Sequence, residues 1–258
     1  MIEVKNIYKS FGNKSVLSGI DLTISKGDTY CIIGKSGSGK SVLLKIIVGI
    51  LSADKGEIIF DDLNIGSLSK SESFEMRKKL GFVFQGAALF DSMTVFENTI
   101  ISMYEHGERD LLKLELEAKR VLSAVSLLPD ISEIRSDNYE NEWKILKDKK
   151  PSDLSGGMRK RVGVARALVG SPEYIFYDEP TTGLDPVTSE QIDDMIASLA
   201  NTLNVTSIVI THDMFSVYRI ADKISMLHDG KVYFNGTVDE MRNSDDRIVH
   251  EFIDRFNK

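Results

Sequence analysis

Apolar and polar positions alternate with two different periods along this chain, and the change of period divides it. Residues 1–33 carry short β-like runs between turns: MIEVKNIYKSF, the turn GNK, SVLSGIDLTIS, the turn KGD, then TYCIIG. This spacing predicts antiparallel strands feeding a buried strand. SVLLKIIVGIL at 41–51 has the broad apolar face of a helix. GEIIFDDLNI at 56–65 reads as a strand and turn, and GFVFQ at 81–85 as a short buried strand. Past residue 90 the period lengthens. Residues 92–128 carry helical spacing, clearest in LLKLELEAKRVLSAVSLL. Residues 130–151 turn polar and irregular, and a second helix is predicted from about Met158 to Val169. Strands return in EYIFYDEP, TSIVITHD and ISMLHDGKVYFNGT, and the closing DDRIVHEFIDRF is amphipathic. The whole is a mostly helical block set inside an α/β frame. It shows no internal repeat and no low-complexity linker.

Composition adds limits. With 258 residues, 42% hydrophobic and 28% charged, the chain can bury a sizeable core without staples. A net charge of -7 makes nucleic acid or an anionic lipid surface a poor default partner. The single cysteine, Cys31, sits in an apolar run and reads as a small buried hydrophobe. It has no disulfide partner in the chain, which favours a reducing compartment. The N-terminal stretch lacks the apolar region of a secretory signal. No run approaches the ~20 apolar residues of a membrane span. Any link to a membrane is therefore expected to come through a partner.

The chemistry concentrates in a few stretches. GKSGSGKS at 34–41 fits G-x-x-x-x-G-K-[ST] between a predicted strand and helix, the context that a phosphate loop requires. Gly34, Gly37 and Gly39 allow backbone N–H groups, with those of Ser36 and Ser38, to curl around phosphates. Lys40 is expected to reach the β- and γ-phosphates, and the Ser41 hydroxyl to hold Mg²⁺. EYIFYDEP ends an apolar strand in Asp178, a candidate Mg²⁺ carboxylate, followed by Glu179, placed to orient or deprotonate an attacking water. SDLSGGMRKR at 152–161 is a second glycine-rich helix start, but no strand leads into it and it has no triphosphate lysine. The N–H groups around Ser155, Gly156 and Gly157 are candidates to bind a γ-phosphate presented by another surface. The cations Arg159, Lys160 and Arg161 fan around the helix and are not interleaved with aromatics. They read as support for the helix and phosphate site rather than as a nucleic-acid face.

With LSGG preceding RVGVARAL and the DEP strand, the chain resembles the ATP-binding cassette (ABC) ATPases over residues 2 to about 240. The resemblance implies a RecA-like P-loop core, an N-terminal antiparallel β region and an inserted helical subdomain. The boundaries it suggests are 1–85 and 171–240 for the core with its β region, 86–170 for the helical subdomain and 241–258 for a C-terminal helix. It implies ATP and Mg²⁺ as cofactors and a head-to-tail dimer in which each signature caps the partner's ATP. By the same resemblance Phe11 stacks on adenine, Gln85 senses Mg²⁺ and water, Asp185 communicates across the dimer, and His212 contacts the γ-phosphate. His106, His228 and His250 match no such pattern and read as surface groups.

LSGGM and FQGAALFDSMTVFENT narrow the resemblance to the ATPase subunits of Mce-linked phospholipid transporters, the group that includes the maintenance-of-lipid-asymmetry system. This implies a peripheral subunit on the cytoplasmic face of the cell membrane, working with permease subunits and an Mce-domain lipid-binding protein. The chain departs from the pattern in three places. Gly86-Ala87 replaces Ser-Gly, expected to be without consequence. The 130–150 connection is longer than usual and is expected to be a solvated insertion bearing Trp143. A regulatory domain like that of sugar-import cassettes is not expected after the closing DDRIVHEFIDRFNK. Two other classes compete: a lone cassette serving iron–sulfur assembly on a soluble scaffold, and a binding module that holds nucleotide without turnover.

Overall fold

The computed structural model describes residues 1–254. Strands β1 (Ile2–Phe11), β2 (Lys14–Ile24), β4 (Lys55–Phe60) and β5 (Leu63–Asn64) form an antiparallel sheet in the order β2-β1-β4-β5. Strands β3 (Thr29–Ile33), β6 (Leu80–Val83), β7 (Tyr174–Asp178), β8 (Thr206–Ile210), β9 (Lys223–His228) and β10 (Lys231–Gly236) form a second sheet. Its order is β10-β9-β3-β8-β7-β6; every pairing is parallel except the edge pair β10–β9. Buried on both faces, the central strands β3 and β8 read as unbroken apolar or small runs, the pattern of a parallel sheet.

Two cores lie on the two faces of this sheet, because alternate residues of each strand point opposite ways. Tyr30, Ile32, Phe176, Ile208 and Ile210 join the antiparallel sheet and helix α1 (Lys40–Ile47). Cys31, Ile33, Ile175, Tyr177 and Val209 face the helical layer instead. Burial pushes the Cys31 thiol well above its ordinary range, as expected of an inert core group.

The remaining helices are α2 (Lys70–Lys78), α3 (Val95–Glu105), α4 (Leu111–Ala124), α5 (Asp137–Lys147), α6 (Gly156–Leu168), α7 (Pro186–Leu203), α8 (Met214–Ile220), α9 (Val238–Arg242) and α10 (Arg247–Ile253). Helices α3 to α6 fall between β6 and β7 in the chain. The stretch with helical spacing over 92–128 is thus two helices, separated by a turn that ends at Asp110, the N-cap of α4. The expected C-terminal helix over 241–258 is also divided: α9 ends at Arg242 and α10 starts anew after the Asp246 cap. Residues 255–258 of that expectation lie outside the described residues.

The largest correction concerns residues 130–150. They are not an irregular solvated insertion. Ser136 caps α5, which buries Tyr139, Trp143 and Leu146, one face of a helix at i, i+4 and i+7. Trp143 is only 2% exposed. Its Nε1 donates to Glu115 at 2.7 Å, its ring meets Phe96 edge-on at 5.8 Å, and the Lys119 ammonium lies 5.5 Å from the ring centre. Lys119 also pairs with Glu140 at 2.6 Å, fastening α5 to α4. The apolar payload of one aromatic outweighs the polar character of its neighbours.

The Gly86-Ala87 departure has a backbone consequence after all. Ala87 and Ala88 have φ of 61° and 46°, a region that favours glycine. Arg166 donates to both of their carbonyls, at 2.6 and 2.8 Å, and holds the turn.

Candidate functional site

The parallel strands end at one edge of the sheet, and the candidate residues lie there because each follows a strand. The glycine loop follows β3, Gln85 follows β6, Asp178 closes β7 with Glu179 next, and His212 follows β8. Ligands of open parallel sheets bind at such carboxyl ends. Between the loop and these side chains is a cleft of about 590 Å³. Gly34, Ser36, Gly37, Gly39, Lys40, Ser41, Gln85, Glu179 and His212 all line it.

Local geometry explains the loop. Gly34, Gly37 and Gly39 have φ of 149°, 80° and 101°. A Cβ on Gly39 would come within 2.8 Å of Leu17. Helix α1 therefore starts without a side-chain cap, its first N–H groups open to the cleft. Lys40 folds back and donates to the carbonyls of Gly34 at 2.8 Å and Lys35 at 3.3 Å. Burial pushes its ammonium pKa down, while Glu179 and Asp178 hold it up. The Ser38 hydroxyl oxygen is buried with no hydrogen-bond partner among the described residues, so the loop suits an oxyanion.

The carboxylates take distinct places. Ser41 donates to Asp178 at 3.1 Å, and desolvation raises the Asp178 pKa, with Glu179 adding to the rise. Glu179 takes φ 51°, an uncommon conformation for a side chain larger than glycine. Its N–H donates to Ile210, so the Glu179 peptide is pinned to the neighbouring strand β8. Its carboxylate lies 2.7 Å from His212 Nδ1 and accepts from Thr182 at 3.1 Å.

The other candidates are elsewhere. Phe11 ends β1 with its ring half exposed and does not line the cleft; Lys9 lies 5.5 Å from the ring centre. Ser155 caps α6 by accepting from Met158, and neither it nor Gly156 nor Gly157 lines the cleft of its own chain. The two glycines instead abut the start of α7: a Cβ on Gly157 would come within 2.7 Å of the Thr188 methyl. Asp185 caps α7, accepting from the Thr188 N–H at 3.0 Å and its hydroxyl at 2.6 Å. Those two hydrogen bonds hold the Asp185 pKa down.

The three cations after the glycines all donate to backbone carbonyls, and only Lys160 is buried. Arg159 donates to Leu154 at 2.7 Å, Arg161 to Val125 at 2.7 Å, and Lys160 to Gln85 and, at 3.4 Å, to Glu179. Phe252 of α10 also lines the cleft, a role the sequence signalled only by the amphipathic stretch around it.

A glycine loop and carboxylates gathered at the ends of parallel strands define a P-loop nucleoside-triphosphatase. The ABC transporter family model matches residues 17–182. The chain belongs to this family and is an ATPase that binds ATP. It is 36% identical to the "Intermembrane phospholipid transport system ATP-binding protein MlaF" of Haemophilus influenzae, over 98% of this chain and 90% of that protein. Against the protein "TRIGALACTOSYLDIACYLGLYCEROL 3, chloroplastic" of Arabidopsis thaliana it is also 36% identical, over 98% of this chain and 73% of the other. Among solved structures, the "Dimeric structure of a post-hydrolysis state of the ATP-binding cassette MJ0796 bound to ADP and Pi" is 30% identical with a TM-score of 0.78. That match covers 92% of this chain and 99% of the other. An iron–sulfur assembly role is not favoured by these relatives. Among the described residues no helix is long and apolar enough to cross a membrane.

Proposed function

We propose that this chain is the ATP-hydrolysing subunit of a phospholipid transporter and works as a head-to-tail pair. The observation that carries the pairing is the position of Ser155, Gly156 and Gly157: phosphate-binding chemistry at an exposed helix start, outside the cleft of its own chain. A second copy supplies what each cleft lacks. The loop 34–41 and Phe11 hold ATP, and the partner's signature completes the γ-phosphate site. Dimeric assembly is a property of the similar MJ0796 cassette.

Glu179 takes the proton of the attacking water, and His212 holds its carboxylate in place. Ser41, Asp178 and Gln85 would hold Mg²⁺, which supplies charge neutralisation at the phosphates. One hydroxyl, one carboxylate and one amide suit a cation that keeps several of its waters. Asp185 carries the state of one pocket to the other.

Phospholipid as cargo rests on the phospholipid transport named for the MlaF relatives and on FDSMTVFEN. A permease fits the groove of about 350 Å³ between α2, β6, α3 and α6, with exposed Phe74 and Phe84 packed against its lining residues His106 and Phe82. Such a partner would hold the subunit on the cytoplasmic face of the cell membrane, beside an Mce-domain lipid carrier. Purification of the native complex from detergent tests this. The expected result is a multi-span permease with bound phospholipid; a soluble iron–sulfur scaffold in its place would contradict it.

A further inference from the structure

The β6–β7 ladder ends at the pair Val83–Tyr177. Two residues beyond it on each strand are Gln85 and Glu179. No strand pairing joins them there. The Lys160 ammonium does so instead, donating to both carbonyls. Lys160 is 6% exposed and stands on the first turns of α6, three residues after Gly157. Its neighbours Arg159 and Arg161 cap carbonyls within the helical layer, so of the three cations Lys160 alone reaches the catalytic edge.

We infer that Lys160 is a positioning residue that fixes Gln85 and Glu179 of its own chain and ties them to the helix carrying the signature. The geometry gives the reason. Glu179 sits at φ 51°, a conformation that must be held from outside. Ile210 holds its N–H and Lys160 its carbonyl, so the peptide is fixed from both sides and the side chain is aimed at His212. A buried ammonium shared by two carbonyls is also stiff, because losing either leaves charge unpaired. When the signature of one chain closes on the partner's ATP, α6 moves, and Lys160 transmits that movement to the chain's own catalytic groups. The two pockets of a dimer are then mechanically coupled.

This inference rests on the paired-ATP reading, and the test separates the two. One copy carries Lys40→Ala, the other Gly156→Asp, leaving a single competent pocket. That pocket uses the phosphate loop, Gln85 and Glu179 of the Gly156→Asp copy. Lys160→Met is then placed in either copy. In the Gly156→Asp copy, kcat should fall about tenfold further than in the other copy, with KM for ATP little changed. Lys160→Arg, which keeps donors to the carbonyls, should recover most of the loss. Equal losses in both arms, or none in either, would overturn the proposal as a merely structural role or no role. An inactive parent pair would sink the paired-ATP reading and this inference with it.

Discussion

Two glycine-rich helix starts, α1 and α6, look alike in sequence and differ in everything that surrounds them. The start of α1 is rooted in the core beneath the antiparallel sheet, and its lysine turns back on its own loop. Carboxylates, a glutamine and a histidine face it across a cleft. The start of α6 is rooted in the other core, its cations engage backbone carbonyls, and its glycines do not line the cleft of their own chain. A local phosphate-binding device is therefore not yet a site. What completes it is the set of groups that the rest of the fold brings to face it.

The strongest way to sharpen this contrast is to disarm the α1 side alone. Glu179→Gln should lower turnover ~10²–10⁴-fold while ATP binding persists, as removal of a general base predicts. Phosphate release and nucleotide-binding assays on the same preparation check both halves. Near-normal turnover would show that the carboxylate beside His212 is not the base.

Trp143→Ala strikes the α6 side alone. It empties a core site and removes the indole donor to Glu115, with an expected loss of about 3–5 kcal/mol. Denaturant unfolding measures the loss. If ATP binding at the phosphate loop falls in parallel with stability, the two cores are not separable.

Asp193 tests the α7 support on which the signature rests. It is 3% exposed, with one carboxylate oxygen lacking a hydrogen-bond partner among the described residues. Ser216, Asp213 and Arg219 of α8 and Asp194 of α7 surround it. Desolvation pushes its pKa up to about 6 from an ordinary 3.8, with Ser216 opposing. A raised carboxyl pKa means that ionisation opposes folding. The Asp193 contribution to stability should therefore be undiminished below pH 3.8, decline as pH rises toward 6 and stay lower above it. Asp193→Asn should remove this decline, worth about 3 kcal/mol at most, as read by unfolding midpoints across that window.

Gly157→Ala has the smallest expected effect on the fold. Its methyl would press on Thr188, which Asp185 holds by two hydrogen bonds, at about 1–3 kcal/mol. Thermal unfolding of the isolated chain reads this cost, and no shift would mean that the signature does not lean on α7.

Much of this contrast was legible in the sequence, because glycine loops and strand-terminal acids carry their geometry in their spacing. Lys40, Ser41 and Glu179 were placed by their motifs and Gln85 and His212 by the family resemblance, and all five line one cleft. Trp143 was misjudged because the surrounding charges hid a helical face, although Tyr139, Trp143 and Leu146 already had the spacing. Helix α2 opens with Ser69 and Glu72, a capping box that was readable and went unread. Helix α7 likewise carried its signals in Asp185, Pro186 and the apolar positions Ile192, Met195, Ile196 and Leu199. The destinations of Lys160 and Arg161 could not be read, since they depend on segments far away in the chain.

The central claim is that each cleft is finished by a second copy. A Lys40→Ala copy paired with a Gly156→Asp copy tests it most directly. Aspartate suits a helix start, so the second variant should fold while repelling phosphate. The account predicts that each homodimer is inactive and that the purified mixed pair hydrolyses ATP through its one intact pocket. A mixed pair no more active than the two homodimers, alone and on the assembled transporter, would contradict it.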